Sequence, residues 1–325
     1  MNASPSLVTR GTRAVLLGAC LAAAPLGMAQ AQDDTTEVRF SVPPWPGVTV
    51  KTELAAQLLE TLGYSPQQEQ LGTTITYQAL NENELDAFLA GWLPAQQGMY
   101  DTAMEKGILV DLGNNVDGAR IGFAVPSYVF DAGVTSAEDL DEPENAERFG
   151  RTVYSIETGT GMSEQLNAGV DSDTYGLGDW EFSETSTPGM LGAADSAINN
   201  QEWIVFAGWT PHWMNIKYDL AYLDDPKDLW GEDGGRSDVR TLVTKEFSEA
   251  HPNATKLLDQ LDFTAEDQSD MIRRYDQDEM PKDEAAIAWM RENADKVEGF
   301  LDGVTTRDGE PAWPVVQKAF DLLGS

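Results

Sequence analysis

The chain has 325 residues, of which 41% are hydrophobic, and its 55 aspartates and glutamates against 21 lysines and arginines give a formal charge of −34. So acidic a chain repels the phosphates of nucleic acids and an anionic membrane surface, and it carries too many apolar and aromatic residues to stay disordered. Its length suits one large domain or two of moderate size, and its acidity suits solubility in a salty or externally exposed compartment.

The first 31 residues read as an export signal. Arg10 and Arg13 form a positive start, residues 14–24 an apolar stretch, and Ala29-Gln30-Ala31 a small-x-small cleavage site. The apolar stretch is too short and too rich in alanine and glycine for a membrane span. Leu17-Gly18-Ala19-Cys20 resembles a lipobox, but few apolar residues precede it and the better cleavage site follows it. Simple cleavage after Ala31 is therefore expected, giving a periplasmic protein without cysteine.

Residues 37–42 alternate as a strand and end in a rigid turn, Pro43-Pro44-Trp45-Pro46-Gly47. A helix over 51–62 places Leu54, Leu58, Leu59 and Leu62 at helical spacing and stops at Gly63. Next come a strand over 75–80, a short helix over 82–87 and an apolar strand over 88–92, broken at Pro94. Further strands are expected over 121–126, 152–156, 203–207 and 240–243, with helices starting at 161 and spanning 190–199. Helical patterns dominate 247–323. Such short-interval alternation predicts an α/β protein of two lobes, the second inserted within the first. The first lobe is expected over 33–119 and 238–325 and the second over 120–237, with hinge crossings near Gly118 and Ser237.

Enzyme signatures come up short. His212 and His251 are the only histidines, and there is no Walker loop and no G-x-S-x-G elbow. Gly159-Thr160-Gly161 is too short for a dinucleotide fingerprint. No catalytic residue and no cofactor are assigned. The loop 224–235 is rich in carboxylates but lacks the spacing of an EF-hand, so it reads as a solvated charge run and no metal is assigned.

Tryptophan is the informative residue. Four of the nine fall where strands end: Trp45 in its proline turn, Trp92 before Leu93-Pro94, and Trp209 and Trp213 around Thr210-Pro211-His212. In layered α/β folds ligands sit outside the carboxyl ends of strands. A cage of ring faces there attracts a trimethylated cation by cation–π contact. Trp180, Trp203, Trp230, Trp289 and Trp313 read as packing residues.

Gly91-Trp92-Leu93-Pro94 with Gly98-Met99-Tyr100, and residues 205–213 (VFAGWTPHW), resemble two motifs of the substrate-binding proteins of glycine betaine, proline betaine and choline ABC importers. Leu62-Gly63-Tyr64 and the stretch around Ala286 to Ala294 fit as well. The resemblance implies a two-lobed periplasmic-binding-protein fold with the ligand trapped in the cleft between lobes. It also implies a membrane permease and an ATPase as separate partner chains, with no nucleic acid; a monomer is expected. Trp92 and Trp209 match cage positions of the family, and Trp45 matches the additional cage tryptophan of its choline-binding members. Trp213 is expected as a fourth wall, with Thr160 and Gly161 of the glycine turn and Glu157 before it at the ligand.

This sequence also departs from the family. Betaine-binding members often carry a tryptophan in the second-lobe glycine turn, which here reads Gly159-Thr160-Gly161-Met162. Choline-binding members carry an aspartate two residues after the first cage tryptophan, where this chain has Gly47. The residue four after Trp92, a histidine in some betaine binders, is Gln96. The groups that read a carboxylate or a hydroxyl are altered and those that read a methylated nitrogen are kept. Trimethylamine N-oxide is therefore the leading ligand, with glycine betaine and choline close behind. A periplasmic enzyme acting on methylated amines is the distant alternative.

Overall fold

The computed structural model describes residues 36–322; the export signal and lipobox lie outside them. From its start the described chain runs β1 (Glu37–Ser41), α1 (Pro46–Thr61), β2 (Ser65–Glu69), α2 (Thr73–Asn81), β3 (Ala87–Leu93), α3 (Gln97–Glu105), β4 (Leu109–Asn114) and β5 (Val116–Asp117). It continues through β6 (Arg120–Pro126), α4 (Ser127–Asp131), α5 (Pro143–Arg148), β7 (Thr152–Ser155), α6 (Gly161–Asp171), β8 (Glu181–Glu184), α7 (Thr187–Asn199), β9 (Val205–Thr210), α8 (Met214–Lys217), β10 (Leu220–Tyr222) and α9 (Glu232–Gly235). The last stretch holds β11 (Asp238–Thr244), α10 (Lys245–Ala250), α11 (Pro252–Asp259), β12 (Phe263–Thr264), α12 (Ala265–Ile272), α13 (Lys282–Glu292), α14 (Ala294–Phe300) and α15 (Ala312–Phe320).

Two five-stranded sheets organise these elements, one per lobe. The first has the order β2-β1-β3-β11-β4 and the second β10-β6-β9-β7-β8. In the first, β1 runs parallel to β2 and β3, while β11 runs antiparallel between β3 and β4. In the second, β6 and β9 are antiparallel and β7 is parallel to both β8 and β9. The second lobe is thus an insertion: the chain leaves the first sheet after β4 and returns to it as β11, between β3 and β4.

Each sheet has its own core. Under the first, Phe40, Leu54, Leu58, Phe263 and Trp289 are fully or almost fully buried, and in the second lobe Phe123, Val153, Phe206 and Trp230 play that part. Burying each such side chain stabilises the fold by about 1.5–3 kcal/mol relative to exposure. Trp180 is buried, and Trp203 and Trp313 pack half-buried against the cores.

Two local expectations are corrected. Residues 75–80 are not a strand but the body of α2, which buries Thr73, Thr76, Tyr77 and Leu80 at helical spacing. Residues 82–87 are not a helix: 82–86 form the turn that feeds β3, and Ala87 opens that strand. There Asp86 binds back to β1, its carboxylate accepting from the Arg39 backbone N–H at 2.7 Å and pairing with the Arg39 guanidinium. No described helix is long and apolar enough to cross a membrane.

Candidate functional site

The site lies where strand ends of both lobes face each other. Trp45 precedes α1, flanked by Pro44 and by Pro46, the first helical residue. Proline fixes its own φ and restricts the residue before it, so the backbone that carries this ring has little freedom. The Trp45 carbonyl accepts from the Thr49 N–H at 3.1 Å and the Thr49 hydroxyl at 2.8 Å, which ties it to the first turn. Trp92 lies in β3 opposite Val239 of β11, and Trp209 in β9 opposite Ile121 of β6. Each of these two tryptophans is followed two residues later by a cis-proline, Pro94 and Pro211.

Trp45, Trp92 and Trp209 line one small cavity. The rest of its wall is mostly aliphatic, with Val116, Ile121, Ile156, Val239 and Ile272 among it, and Thr160, Gly161 and Met162 enter from the start of α6. Thr160 caps that helix, its hydroxyl accepting from the Ser163 N–H at 3.2 Å. Its polar lining comprises Gln96, Gln268, Thr160 and Lys51. Gln96 is committed to the protein: its Nε2 donates to Ala90 O at 3.1 Å and its Oε1 accepts from the Tyr77 hydroxyl at 3.0 Å. Gln268 donates to Gly47 O at 3.0 Å, while its buried Oε1 has no protein partner. Trp45 Nε1 is likewise buried and unpartnered.

Trp213 and Glu157 sit elsewhere. Trp213 lines a second, larger cleft together with Trp45, Lys217, Tyr218, Tyr275 and Asp276. Its Nε1 donates to Asp276 Oδ2, which bridges the second lobe to the first. The His212 ring packs against both tryptophans, its centroid 4.8 Å from that of Trp209 and 5.1 Å from that of Trp213. The four expected walls are therefore three around the cavity and one beside it. Glu157 is absent from the cavity wall. Its carboxylate accepts from the Thr187 N–H at 2.7 Å and the Thr187 hydroxyl at 3.0 Å, at the positive start of α7.

The lobes touch closely around the cavity. A Cβ on Gly161 would fall 2.3 Å from Ala95 O of the first lobe, and one on Gly231 2.6 Å from the Pro94 ring. The Thr74 hydroxyl donates to Gly159 O at 3.3 Å. Ile272, on α12 of the first lobe, packs within the core of the second. A Cβ on Gly47 would meet Ile272 Cδ1 at 3.3 Å, so an aspartate there would have to displace that side chain.

Two residues at the site titrate unusually. Burial pushes the Lys51 ammonium down to about 7 and the His212 imidazole down to about 3, so His212 is neutral in the folded protein. The acidic loop 224–235 spends Asp225 internally, on the Tyr175 hydroxyl at 2.6 Å and the Trp230 N–H at 2.8 Å. Among the described residues no group of three or more histidines, cysteines or carboxylates is arranged to hold a metal.

Residues 36–292 match the substrate-binding domain of the ABC-type glycine betaine transport system. The chain belongs to that family. Within and around it, the glycine betaine/carnitine transport binding protein GbuC of Listeria monocytogenes serotype 1/2a (strain 10403S) is 36% identical over 181 residues, 55% of this chain and 58% of that relative. The match thus spans little more than half of that relative's length. The trimethylamine N-oxide-binding protein of Pelagibacter ubique (strain HTCC1062) is 22% identical over 291 residues, 82% of this chain and 91% of that one. An ABC-transporter choline binding protein in complex with choline superposes with a TM-score of 0.83 at 29% identity, covering 88% of this chain and 98% of that one. The family assignment and the two-lobed fold agree with the reading of the two tryptophan motifs.

Lys51, Gln268 and Ile272 line the cavity and carry no motif. Lys51 did leave a signal: it lies three residues before Leu54 and seven before Leu58, on the buried stripe of α1, where a lysine is out of place. Gln268 and Ile272 arrive from a helix more than 200 residues further along and left none.

Proposed function

We propose that this protein is the extracytoplasmic receptor of an ABC importer and captures a small trimethylated amine, trimethylamine N-oxide first, between Trp45, Trp92 and Trp209. One observation carries the reading: three indole rings from two lobes share a small, mostly apolar cavity, and among the described residues no carboxylate lines it. Methyl groups on nitrogen spread the positive charge and donate no strong hydrogen bonds, so ring faces and shape must hold them. Thr160 and Gly161 contribute the edge of the cavity that arrives when the lobes close. A permease and an ATPase on separate chains take the released ligand onward. Binding without turnover means the ligand leaves unchanged.

Trimethylamine N-oxide is preferred for its compactness and because Gly47 and Gln96 stand where the resemblance expects the aspartate and histidine that read a hydroxyl or a carboxylate. Glycine betaine or choline is the second reading, favoured by the names of the Listeria relative and the choline-bound structure. The test is calorimetric titration of the purified mature protein with trimethylamine N-oxide, glycine betaine, choline, carnitine and proline betaine. Trimethylamine N-oxide is expected to bind tightest and to be recovered intact. Absence of binding by every member of the panel would overturn the reading.

A further inference from the structure

Among the described residues that line the cavity, Lys51 alone carries an ionisable side chain. It is 2% exposed, and its Nζ donates to Asn115 Oδ1. Asn115 is itself fixed, its Nδ2 donating to Leu89 O at 3.2 Å and Thr241 Oγ1 at 2.8 Å. Among the described residues the lysine ion pairs belong to Lys217, Lys245, Lys282 and Lys296, and no carboxylate pairs with Lys51. An ammonium offers three donors and one is used, so this buried amine, on a residue that lines the cavity, is short of acceptors and, when protonated, of a counter-charge. That is the opposite of what a site for a net cation needs.

We propose that Lys51 sets the specificity of the cavity, donating to an anionic oxygen of the ligand and so selecting zwitterions, N-oxide or betaine, over trimethylated ligands with a net positive charge. This rests on the methylated-amine reading above and narrows it. The tryptophans hold the methylated nitrogen and Lys51 holds the negative end. A net cation would instead place a second positive charge in a cavity from which water is largely excluded, where like charges repel far more strongly than in water. The absent counter-charge also explains why burial alone depresses the Lys51 ammonium so far; an anionic oxygen beside it restores the charged form.

The experiment uses two ligand pairs matched in shape: trimethylamine N-oxide against tetramethylammonium, which replaces the oxygen with a methyl group, and glycine betaine against choline. Calorimetry on the mature wild-type protein is expected to show the zwitterion of at least one pair binding about tenfold tighter or more, and the pair that responds tells N-oxide from carboxylate. Lys51→Met, with circular dichroism confirming the fold, is expected to lower the zwitterion's affinity about tenfold while the cation binds unchanged or tighter. Wild-type protein that binds tetramethylammonium and choline as tightly as their zwitterions overturns the role of Lys51 and leaves the aromatic cage standing. A folded Lys51→Met variant that keeps the zwitterion preference overturns it as well. Wild-type protein that binds neither member of either pair overturns the methylated-amine reading, and this inference with it.

Discussion

Trp92 and Trp209 stand in matching places, each near the end of a strand, opposite an aliphatic residue and two residues before a proline. On the proposed function, removing either ring would leave one face of the methylated nitrogen against water. Trp92→Ala and Trp209→Ala should each cost about 1–3 kcal/mol of binding, roughly five- to 150-fold in affinity. Phenylalanine at either position should be gentler, because it keeps a ring face with a weaker quadrupole. Titration of each folded variant decides, and full affinity after either alanine substitution would remove the cage. His212 makes a separate prediction about acid. Burial lowers its folded-state pKa to about 3 from an ordinary 6.5, so the unfolded chain takes up a proton that the folded one refuses. The stability contributed is complete above pH 6.5 and is lost as pH falls from there toward 3. At about pH 5 the loss from this one group should be about 2 kcal/mol. Melting temperatures of wild type and His212→Asn, compared at neutral and mildly acid pH, should differ in slope, with the variant less acid-sensitive.

At the scale of elements, Glu157 shows how a residue near the site can serve a helix instead. Its carboxylate holds both the N–H and the hydroxyl of Thr187 at the start of α7. Glu157→Gln should therefore lower stability by about 1 kcal/mol and leave ligand affinity unchanged; a large affinity loss in a protein of wild-type stability would return Glu157 to the ligand. Most strands that line the site were legible from their apolar runs, β3, β6, β9 and β11 among them. Others were not, for physical reasons. β2 reads Ser-Pro-Gln-Gln-Glu, an edge strand with no buried face to announce it, ordered by pairing with β1. Ile75 to Leu80 alternates like a strand, but Ile75 itself is 51% exposed, and Thr76, Tyr77 and Leu80 turn inward on a helix. The three cavity tryptophans were readable because rings at strand ends are unusual. Trp213 was misplaced because closeness in sequence to Trp209 says nothing about which way a turn sends the ring.

At the scale of the whole molecule the lobes are in contact, and Gly161 reports on that state. It opens α6 with ordinary helical geometry, so alanine there is not strained by its own backbone. Alanine would nevertheless collide with Ala95 O, and only when the lobes are shut. Gly161→Ala should melt like wild type yet bind every ligand roughly tenfold more weakly or worse, because it opposes the closed population without touching selectivity. Small-angle scattering at saturating ligand would then show incomplete compaction; wild-type affinity and compaction would mean that Ala95 yields freely. The insertion of one lobe into the other has a further consequence, for the order in which the chain acquires structure. The place between β3 and β4 in the first sheet is filled by β11, which follows the entire second lobe in sequence. Until that strand arrives, β3 and β4 have no shared partner, whereas the second lobe draws all five of its strands from one uninterrupted stretch, Arg120 to Tyr222. Closing the longer loop costs more entropy before any contact rewards it. In refolding followed by pulsed hydrogen exchange, amides of β6, β7 and β9 should gain protection before those of β3 and β11. A chain exported unfolded would thus assemble its inner lobe first and seal its outer one last, leaving the edges of β3 and β4 open to wrong partners for longest.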